Sequence, residues 1–355
     1  MLDRMHCAFL ITSVAGLTMS LKKIANELGL SSTTVSRALN GYDDVAAATR
    51  ERIVEAAKRL GYQPNSLARR LKMGKTDAVA LAYPSRPRVL NNSTFLEMIG
   101  WIGIELAKFG IDLLLIPDER DHTHHSLTRL VETRRVDALL VAHTQPEDHR
   151  LDYLQQQKFP FLALGRSNLS QPYAWFDFDN YAGSAMAVTR LAELGHRRIA
   201  FLGTDARLSY VEQRLQGYID TLAGRSLPQP ADYIQQVEPD RRGGYQATRR
   251  LLALAAPPTA IITDCNMLGD GAASALQQAG LLGKQGISLI SYDGLPDDTL
   301  LDIAVTPIVQ NTRTSVGKQI AGMIHKLLLG ADPQRLQVLW QPEIGRGETD
   351  CPPER

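Results

Sequence analysis

The sequence is poor in the features that mark disulfide-bonded, metal-binding and membrane-spanning proteins. It has only three cysteines, Cys7, Cys265 and Cys351, which lie far apart and without the spacing of a metal site. A disulfide framework is therefore not indicated, and an intracellular, cytoplasmic protein is the simplest interpretation. No apolar run approaches the ~20 residues that a membrane-spanning helix requires.

Signatures of catalysis and of nucleotide binding are also missing. The glycines of GYDD and GDGA lack the context of a phosphate-binding loop. The cluster HTHHS at 122–126 resembles a metal motif, but no second cluster stands at ligand spacing. We therefore expect no metal and no cofactor. No Ser/His/Asp set or carboxylate pair is marked by its sequence context, so we do not expect an enzyme.

Charge is balanced over the whole chain but unevenly distributed along it. The formal net charge is +1, yet residues 19–75 hold eleven Lys or Arg against five Asp or Glu. A basic N-terminal module on an acidic body predicts that the N-terminal part contacts a polyanion. The length of 355 residues predicts two or three domains.

The N-terminal segment 1–18 does not share this patterning. CAFLITSVAGL at 7–17 is apolar and follows Arg4, as in a signal peptide. Asp3 balances that arginine, however, and the basic module follows directly. We expect residues 1–18 to be a disordered extension or an incorrectly assigned start, with the patterned sequence beginning at Met19.

Two short helical patterns joined by a glycine come next. LKKIANEL at 21–28 has apolar residues at helical spacing, and Gly29 ends it. Ser31 can cap a second helix, STTVSRAL at 32–39, which has one narrow apolar stripe and otherwise exposes hydroxyls and Arg37. This pattern is typical of a helix-turn-helix, whose second helix enters the major groove of DNA. An arginine there can bind guanine through two hydrogen bonds.

A third helix and a short basic segment complete the module. TRERIVEAAKRLGY at 49–62 has an apolar stripe that would brace the first two helices. Residues 66–72 would form a helix too short to be stable alone in water. It could fold on DNA and insert Leu71 as a wedge into the minor groove. The alternative is a solvated linker.

The stretch AxxLGLSxxTVSRALNG, followed by TRERIVEAAKRLGYQPNSLARRL, resembles the headpiece and hinge of the lactose-repressor/galactose-repressor (LacI/GalR) family. The match is nearly continuous from residue 21 to 71. The resemblance implies a homodimeric repressor of transcription that binds a pseudo-palindromic operator in double-stranded DNA. The predicted DNA-binding residues are Leu21, Ser31, Ser32, Thr33, Ser36, Arg37, Asn40, Tyr62, Asn65, Ala68 and Leu71.

From residue 77 onward, patterns of strands and helices alternate in two series, the second beginning at 180. This rhythm implies two α/β lobes with parallel sheets and a ligand cleft at the carboxyl ends of their strands. LGHRRIAFLG, RLQGY and ISLISYD resemble the core of the same family, which is similar to periplasmic sugar-binding proteins. The predicted fold is an all-α helix-turn-helix headpiece joined to this α/β core. The predicted parts are a headpiece at 19–63, a hinge helix and linker at 64–76, a core at 77–345 and a flexible tail at 346–355.

A polar small molecule would need placed polar groups and an apolar or aromatic wall. Asp293 ends a hydrophobic strand and could accept hydroxyl hydrogens, or alternatively it could cap a helix over 296–301. Arg214 stands at the anchoring arginine of the family and Gln310 at one of its cleft positions. Phe95 could stack on a sugar ring or pack in the core.

The chain departs from the family where an Asn-Asp pair is usual, because it has Cys265-Asn266 there with Asp264 one residue early. Either Asn266 or Asp264 takes over the polar contact, or the effector differs. The stretch FLEMIGWIGIELAKFGIDLLL resembles members that respond to sugars, so we favour a carbohydrate over a purine by analogy. The predicted effector-binding residues are Tyr83, Pro84, Ser85, Phe95, Arg166, Asp179, Arg214, Asp264, Asn266, Asp293 and Gln310.

The expected mechanism is a switch between two states. Effector bound in the cleft would shift the lobes and change the spacing of two headpieces, with a coupling of typically ~1–3 kcal/mol. Induction is commoner in the family than corepression. The end of the chain has no leucine heptads, so we expect a dimer rather than a tetramer. The alternative from another class is a solute-binding protein of a transport system, which would not need residues 21–72.

Overall fold

The computed structural model describes residues 21–39, 42, 44–62, 74–84, 93–118 and 125–353. The chain divides into two compact units, Met1–Lys75 and Thr76–Arg355, which we call the headpiece and the core. No helix in the described ranges is both long and apolar enough to cross a membrane. Several predicted features lie outside the described residues: the 1–18 segment, the hinge helix and the residues Asn40, Asn65, Ala68, Leu71 and Ser85.

The headpiece contains the three predicted helices. They are α1 (Leu21–Leu28), α2 (Ser32–Leu39) and α3 (Ala47–Arg59). A small shared core forms where their apolar stripes meet, with Ile24, Val35 and Ile53 almost fully buried. Gly29 has φ +65°, which glycine adopts without steric cost, and so the chain can turn between α1 and α2. The helix-turn-helix is confirmed.

The core alternates strands and helices along its whole length. In chain order its elements are β1 (Ala78–Pro84), α4 (Ser93–Ala107), β2 (Asp112–Asp118), α5 (His125–Glu132), β3 (Ala138–Ala142), α6 (His149–Gln156), β4 (Phe161–Leu164), β5 (Ala174–Phe178), α7 (Asn180–Glu193), β6 (Ile199–Gly203), α8 (Ser209–Gly224), β7 (Ile234–Gln236), α9 (Arg241–Leu252), β8 (Ala260–Thr263), α10 (Asn266–Gln278), β9 (Ser288–Tyr292), β10 (Thr306–Val309), α11 (Thr314–Leu328), β11 (Gln337–Trp340) and β12 (Glu343–Ile344). Short 3-10 turns occur at Ala231–Tyr233, Gly283–Gln285 and Pro333–Arg335.

These elements form two lobes, each built on a six-stranded sheet. The first sheet has the order β11-β5-β4-β3-β1-β2, and all its neighbouring strands are parallel. The second has the order β12-β10-β9-β8-β6-β7 and is parallel except between β10 and β12. Strands buried on both faces, such as β3 and β6, read as continuous apolar runs because helices cover both sides. The predicted pair of parallel-sheet lobes is confirmed.

The chain passes between the lobes three times, which a simple series of two lobes does not predict. It crosses after β5, returns after β10 and crosses again between β11 and β12. Helix α11 therefore packs in the first lobe, where Val316, Ile320 and Ile324 join the core formed by β1 and α4. Three connections restrict the relative motion of the lobes to opening and closing about the crossings.

Glycine in the RLQGY motif has a packing reason. A Cβ on Gly217 of α8 would lie 2.3 Å from the carbonyl oxygen of Tyr181 in α7, which is far inside contact distance. The two helices approach so closely only because position 217 has no side chain. This approach places Arg214, one turn earlier on α8, against the first crossing between the lobes.

The end of the chain differs from the predicted flexible tail. Thr349 is fully buried, accepts a hydrogen bond from the backbone N–H of Thr306 at 3.0 Å and donates one to the carbonyl of Leu289 at 2.6 Å. The imidazole of His196 lies 2.7 Å from the carbonyl oxygen of Cys351. The expectation of flexibility was wrong for residues 346–353. Their polar composition led to that expectation, but they form a row of hydrogen bonds to the second sheet.

Candidate functional site

A cavity of about 150 Å³ lies between the two lobes. It is bounded by the carboxyl ends of β3, β4 and β5 from the first lobe and of β8, β9 and β10 from the second. We call it the inner cavity; its walls include Phe95, His143, Asn180, Arg214 and Asp293. Carboxyl ends of parallel strands are where open α/β sheets bind their ligands, so the predicted location of the cleft is confirmed.

Arg214 is the centre of the polar wall. Its Nε donates to Oδ1 of Asn180 at 2.8 Å, and its Nη2 donates to Oε1 of Gln310 at 3.1 Å. Its Nη1 donates to the backbone carbonyl of Asp264. The guanidinium carbon lies 3.7 Å from the centroid of the Tyr292 ring, so cation–π attraction adds to these bonds. Arg214 is thus a rigid, buried charge on the cavity wall.

Asn180 connects Arg214 to both lobes. It lies at the first crossing, and its Nδ2 donates to Oδ1 of Asp177 at 3.2 Å and to the carbonyl of Phe178 at 2.9 Å. Its Oδ1 also accepts a hydrogen bond from Nε2 of Gln310 at 3.2 Å. Gln310 follows β10 and lies at the second crossing. A ligand that disturbs this network acts on both crossings at once.

Asp293 presents a carboxyl group to the inner cavity from the end of β9. Burial raises the pKa of Asp293 to about 6, although the nearby Arg214 and the backbone N–H of Gln310 act in the opposite direction. Residues 296–301 form turns and irregular chain rather than a helix. The capping alternative is therefore excluded, and the carboxyl group faces the cavity.

The two candidates for the altered family position differ in what they contact. Asp264 is fully buried, its Oδ2 accepts from the N–H and the hydroxyl of Thr204, and burial raises its pKa. Asn266 donates from Nδ2 to Oγ1 of Thr94 at 3.1 Å, across the cleft. Neither side chain lines the inner cavity, which Cys265 does instead. Within the described residues, Oδ1 of Asp264 and Oδ1 of Asn266 are buried and have no hydrogen-bond partner.

Aromatic rings supply the apolar wall. Phe95 lines the inner cavity and meets the ring of His143 edge-on at 4.9 Å between centroids. Phe95 also packs partly against the core of the first lobe, so both sequence interpretations apply to it. Tyr210 and Phe178 line the cavity as well, and burial raises the pKa of the Tyr210 hydroxyl. Such rings suit the apolar faces of a sugar.

Other predicted effector residues lie elsewhere. Tyr83 packs against the core of the first lobe, and Pro84 ends β1 without lining the inner cavity. Arg166 donates from Nε to Oδ2 of Asp177 at 2.9 Å and from Nη2 to Oε1 of Gln213 at 2.9 Å. Asp179 caps α7 by accepting from the N–H of Ala182. Arg166 supports the wall from behind, and a direct effector contact for these residues stays a prediction.

Several residues that line the inner cavity were not among the predicted effector-binding residues. They are Thr94, His143, Asp177, Asn180, Tyr210 and Thr312. One signal was available, because Tyr210 precedes Arg214 by one helical turn on α8. Asp177 lies in β5, which has no clear strand pattern, and Asn180 begins α7. Thr94 and Thr312 carry no such signal, because only the tertiary fold brings them to the cleft. Within the described residues, no group of three or more His, Cys, Asp or Glu is placed to hold a metal ion.

The candidate DNA-binding surface is formed by α2. Oγ of Ser31 accepts from the backbone N–H of Thr34 at 3.0 Å, which confirms its predicted capping role. Ser32 and Thr33 are exposed in the first turn of the helix. Helix α2 is therefore anchored at its start and offers hydroxyl groups to a partner.

Arg37 projects from the same helix and is held by two neighbours. Its Nη2 lies 2.5 Å from Oδ2 of Asp44, and its guanidinium carbon lies 4.9 Å from the centroid of the Tyr42 ring. The ion pair is exposed, so it contributes little in water, and a contact between Arg37 and DNA stays a prediction. Leu21 and Tyr62 pack partly against the headpiece core, and their contact with DNA also stays a prediction.

Two family models match the chain. Residues 20–65 match "Bacterial regulatory proteins, lacI family", and residues 76–339 match "Periplasmic binding proteins and sugar binding domain of LacI family". The HTH-type transcriptional regulator RafR of Escherichia coli is 50% identical over 93% of this chain and 98% of its own length.

Solved structures of similar chains agree with this. A putative transcriptional regulator from Yersinia pestis biovar Microtus str. 91001 is 74% identical, covers 79% of this chain and 100% of its own, and has a TM-score of 0.76. A complex of the transcriptional regulator CelR with cellobiose is 25% identical, covers 93% of this chain and 99% of its own, and has a TM-score of 0.69. The chain belongs to the LacI family of bacterial transcriptional regulators.

Proposed function

We propose that this protein is a dimeric transcriptional repressor whose affinity for a pseudo-palindromic operator is switched by a sugar in the inner cavity. The proposal rests on two features that occur in the same chain. Helix α2 is capped and exposed, and the cleft contains a fixed arginine, a carboxyl group and aromatic rings. Hydroxyl groups can bond to Asp293 and to the amides around Arg214, and the apolar faces of a sugar can lie on Phe95 and Tyr210.

The comparisons support a carbohydrate over a purine. The core matches a sugar-binding domain, and a similar structure has been solved with cellobiose. A solute-binding protein of a transport system is not supported, because the headpiece matches the regulatory family over residues 20–65. We expect the protein in the bacterial cytoplasm, associated with the nucleoid when bound to DNA.

Dimerisation would supply the second headpiece that a palindromic operator requires. Exposed apolar side chains on the first lobe fit such a contact. Leu114 and Leu115 are 40% and 41% exposed on the edge strand β2, and Ile104 of the neighbouring helix α4 is 53% exposed. An open edge strand with exposed leucines is unfavourable in a lone molecule and is covered when a second copy binds.

The proposal is tested by separating effector response from DNA binding. Asp293→Asn in the full chain should keep operator affinity within about twofold but require at least about tenfold more sugar for release, because the carboxylate acceptor is lost. Fluorescence anisotropy on an operator duplex measures both. Asp302→Asn, the same change at an exposed position outside the cavity, is the matched control.

Equal sugar response of the two variants would place the effector outside the inner cavity. A loss of operator binding in Asp293→Asn, with a folded headpiece, would show that the cavity serves DNA binding itself rather than its regulation.

A further inference from the structure

A second and larger space adjoins the inner cavity. The inner cavity holds about 150 Å³, whereas the neighbouring cavity holds about 730 Å³. Sites for small molecules usually hold roughly 300–1,000 Å³, so the inner cavity alone is small for an effector. We call the larger space the vestibule; the residues that line it but not the inner cavity include Glu97, Asn266, Asp297, Arg313, Gln341 and Glu343. The two spaces adjoin, since Thr94, Asp293, Gln310 and Thr312 line both.

The two spaces differ in chemistry. The inner cavity has aromatic rings beside its polar groups, whereas the described residues that line the vestibule include no aromatic ring and several carboxylates and side-chain amides. Carboxylate and amide oxygens accept hydrogen bonds from hydroxyl groups without any charge on the ligand. The wall of the vestibule therefore suits a polyhydroxylated molecule that continues outward from the inner cavity.

The charge of the vestibule excludes acidic ligands. It carries four carboxyl groups, those of Glu97, Asp293, Asp297 and Glu343. Among the described residues that line it, Arg313 is the one cation, and its Nε lies 3.3 Å from Oε1 of Glu97. The remaining negative charge would repel a phosphate or carboxylate group. A phosphorylated sugar or a nucleotide does not fit this wall.

A buried oxygen on the wall of the vestibule, Oδ1 of Asn266, has no hydrogen-bond partner among the described residues. Asn266 is 2% exposed and lines the vestibule, and its Nδ2 donates a hydrogen bond to Oγ1 of Thr94. Buried polar atoms are nearly always bonded, so the Oδ1 acceptor calls for a donor from a ligand that reaches past the inner cavity.

We propose that the effector is an uncharged oligosaccharide of at least two rings. One ring occupies the inner cavity against Phe95 and Tyr210, and the next lies in the vestibule within reach of Asn266, Asp297 and Glu343. The vestibule thus selects for chain length and against phosphorylated sugars. This inference rests on the proposed function only in taking the effector to be a carbohydrate.

Calorimetric titration of the full chain with sugars of increasing length tests the inference. Two series share a terminal ring: glucose, cellobiose and cellotriose, and galactose, melibiose and raffinose. Glucose 6-phosphate and galactose 6-phosphate test the charge. In the series that binds, the two-ring or three-ring member should bind at least about tenfold more tightly than the single ring, the effect of one further hydrogen bond to a charged group. Neither phosphate should bind more tightly than its parent sugar.

Substitutions of residues that line the vestibule test whether the longer sugar binds there. Asp297→Asn and Glu343→Gln should weaken the longer sugar about tenfold together and leave the single ring within about twofold. Asp298→Asn is the matched control, because Asp298 neighbours Asp297 but pairs with Arg241 outside the vestibule.

A single ring that binds as tightly as the longer sugars, or a phosphate that binds most tightly, overturns the inference and leaves the proposed function standing. If no sugar of any length binds while the operator is bound, the carbohydrate part of the proposed function fails as well.

Discussion

At the scale of residues, function depends on a few side chains whose neighbours fix their position and charge. Arg214 is held by Asn180, Gln310 and the carbonyl of Asp264, and Arg37 is held by Asp44 and Tyr42. The first arrangement is buried and the second exposed. The cleft arginine is therefore held rigidly in a buried position, whereas the headpiece arginine is held only by an exposed ion pair and an exposed ring.

Arg37→Ala should cost about 1–3 kcal/mol of binding on the operator and much less on random DNA, because a bidentate contact with guanine is lost only on the specific site. Competition titrations with both duplexes measure the difference. Arg59→Ala is the matched control, since Arg59 is an exposed arginine of α3 that pairs with Glu27. An equal loss on the two duplexes would reduce Arg37 to a phosphate contact.

The pKa of Asp293 predicts how effector affinity depends on pH. Burial raises this pKa from its ordinary 3.8 to about 6, so the carboxyl group binds a proton as the pH falls through about 6. The protonated form is a poorer acceptor for hydroxyl groups, and effector affinity should fall below that pH. The free folded protein should gain stability from this group over the same range, since it binds the proton more tightly than the unfolded chain does.

Calorimetric titration between pH 5 and pH 7, about one unit either side of the transition, measures this dependence. Asp293→Asn should flatten the profile. An unchanged slope in that variant would assign the titration to another buried carboxyl group, such as Asp177 or Asp264, whose pKa values are also raised by burial.

At the scale of elements, sequence patterns predict most of the helices and strands but not their exchange between lobes. Strands β1 and β3 are continuous apolar runs, and α7 and α8 have apolar stripes with nearby glycines, so sequence patterns of this kind predict an element near each observed position. Strands β5 and β11 were not predicted, because they mix polar and aromatic residues over a few positions.

The candidate site was predictable only in part for the same kind of reason. Arg214, Asp293, Gln310 and Phe95 stand in recognisable local contexts, and all four line the inner cavity. The bond between Arg214 and Asn180, by contrast, joins residues on two helices, and the close approach permitted by Gly217 decides it. No spacing along the chain encodes that contact.

The polar composition of the C-terminal segment predicts a flexible tail, whereas the segment is hydrogen-bonded to the core. Thr349→Val keeps the shape of the buried side chain but removes its bonds to Thr306 and Leu289, so unfolding of the core should become easier by about 1–3 kcal/mol. Urea denaturation followed by circular dichroism measures this. Thr314→Val, the same change at an exposed position, should have little effect. Equal stability of the two variants would mean that these two hydrogen bonds contribute no net stability to the core.

At the scale of the whole molecule, the cleft is closed by hydrogen bonds that join one lobe directly to the other. Arg166 donates to Gln213 at 2.9 Å, Asn266 donates to Thr94 at 3.1 Å, and the backbone N–H of Ser209 donates to the carbonyl of Thr144 at 2.9 Å. Each joins one lobe to the other. The balance between open and closed forms therefore depends on these contacts as well as on the ligand, and an effector shifts it only by its differential affinity.

Gln213→Ala removes one contact across the cleft without changing the inner cavity. The closed form becomes less populated, so effector affinity should fall about tenfold, the effect of one hydrogen bond donated by a charged group. Calorimetry measures the affinity, and small-angle X-ray scattering measures the opening. Gln216→Ala is the matched control, because Gln216 lies on the same helix and donates to Asp220 in that helix. Equal affinities of the two variants would contradict this account of closure.

The central claim is that one molecule couples operator binding to a carbohydrate. The most direct measurement titrates the full chain onto a fluorescent duplex from its own upstream region, with and without the sugar series. The account predicts tight, salt-sensitive binding that a sugar of two or more rings reverses by roughly the 5–150-fold typical of such coupling. Tight binding that no sugar alters, in either direction, would contradict it.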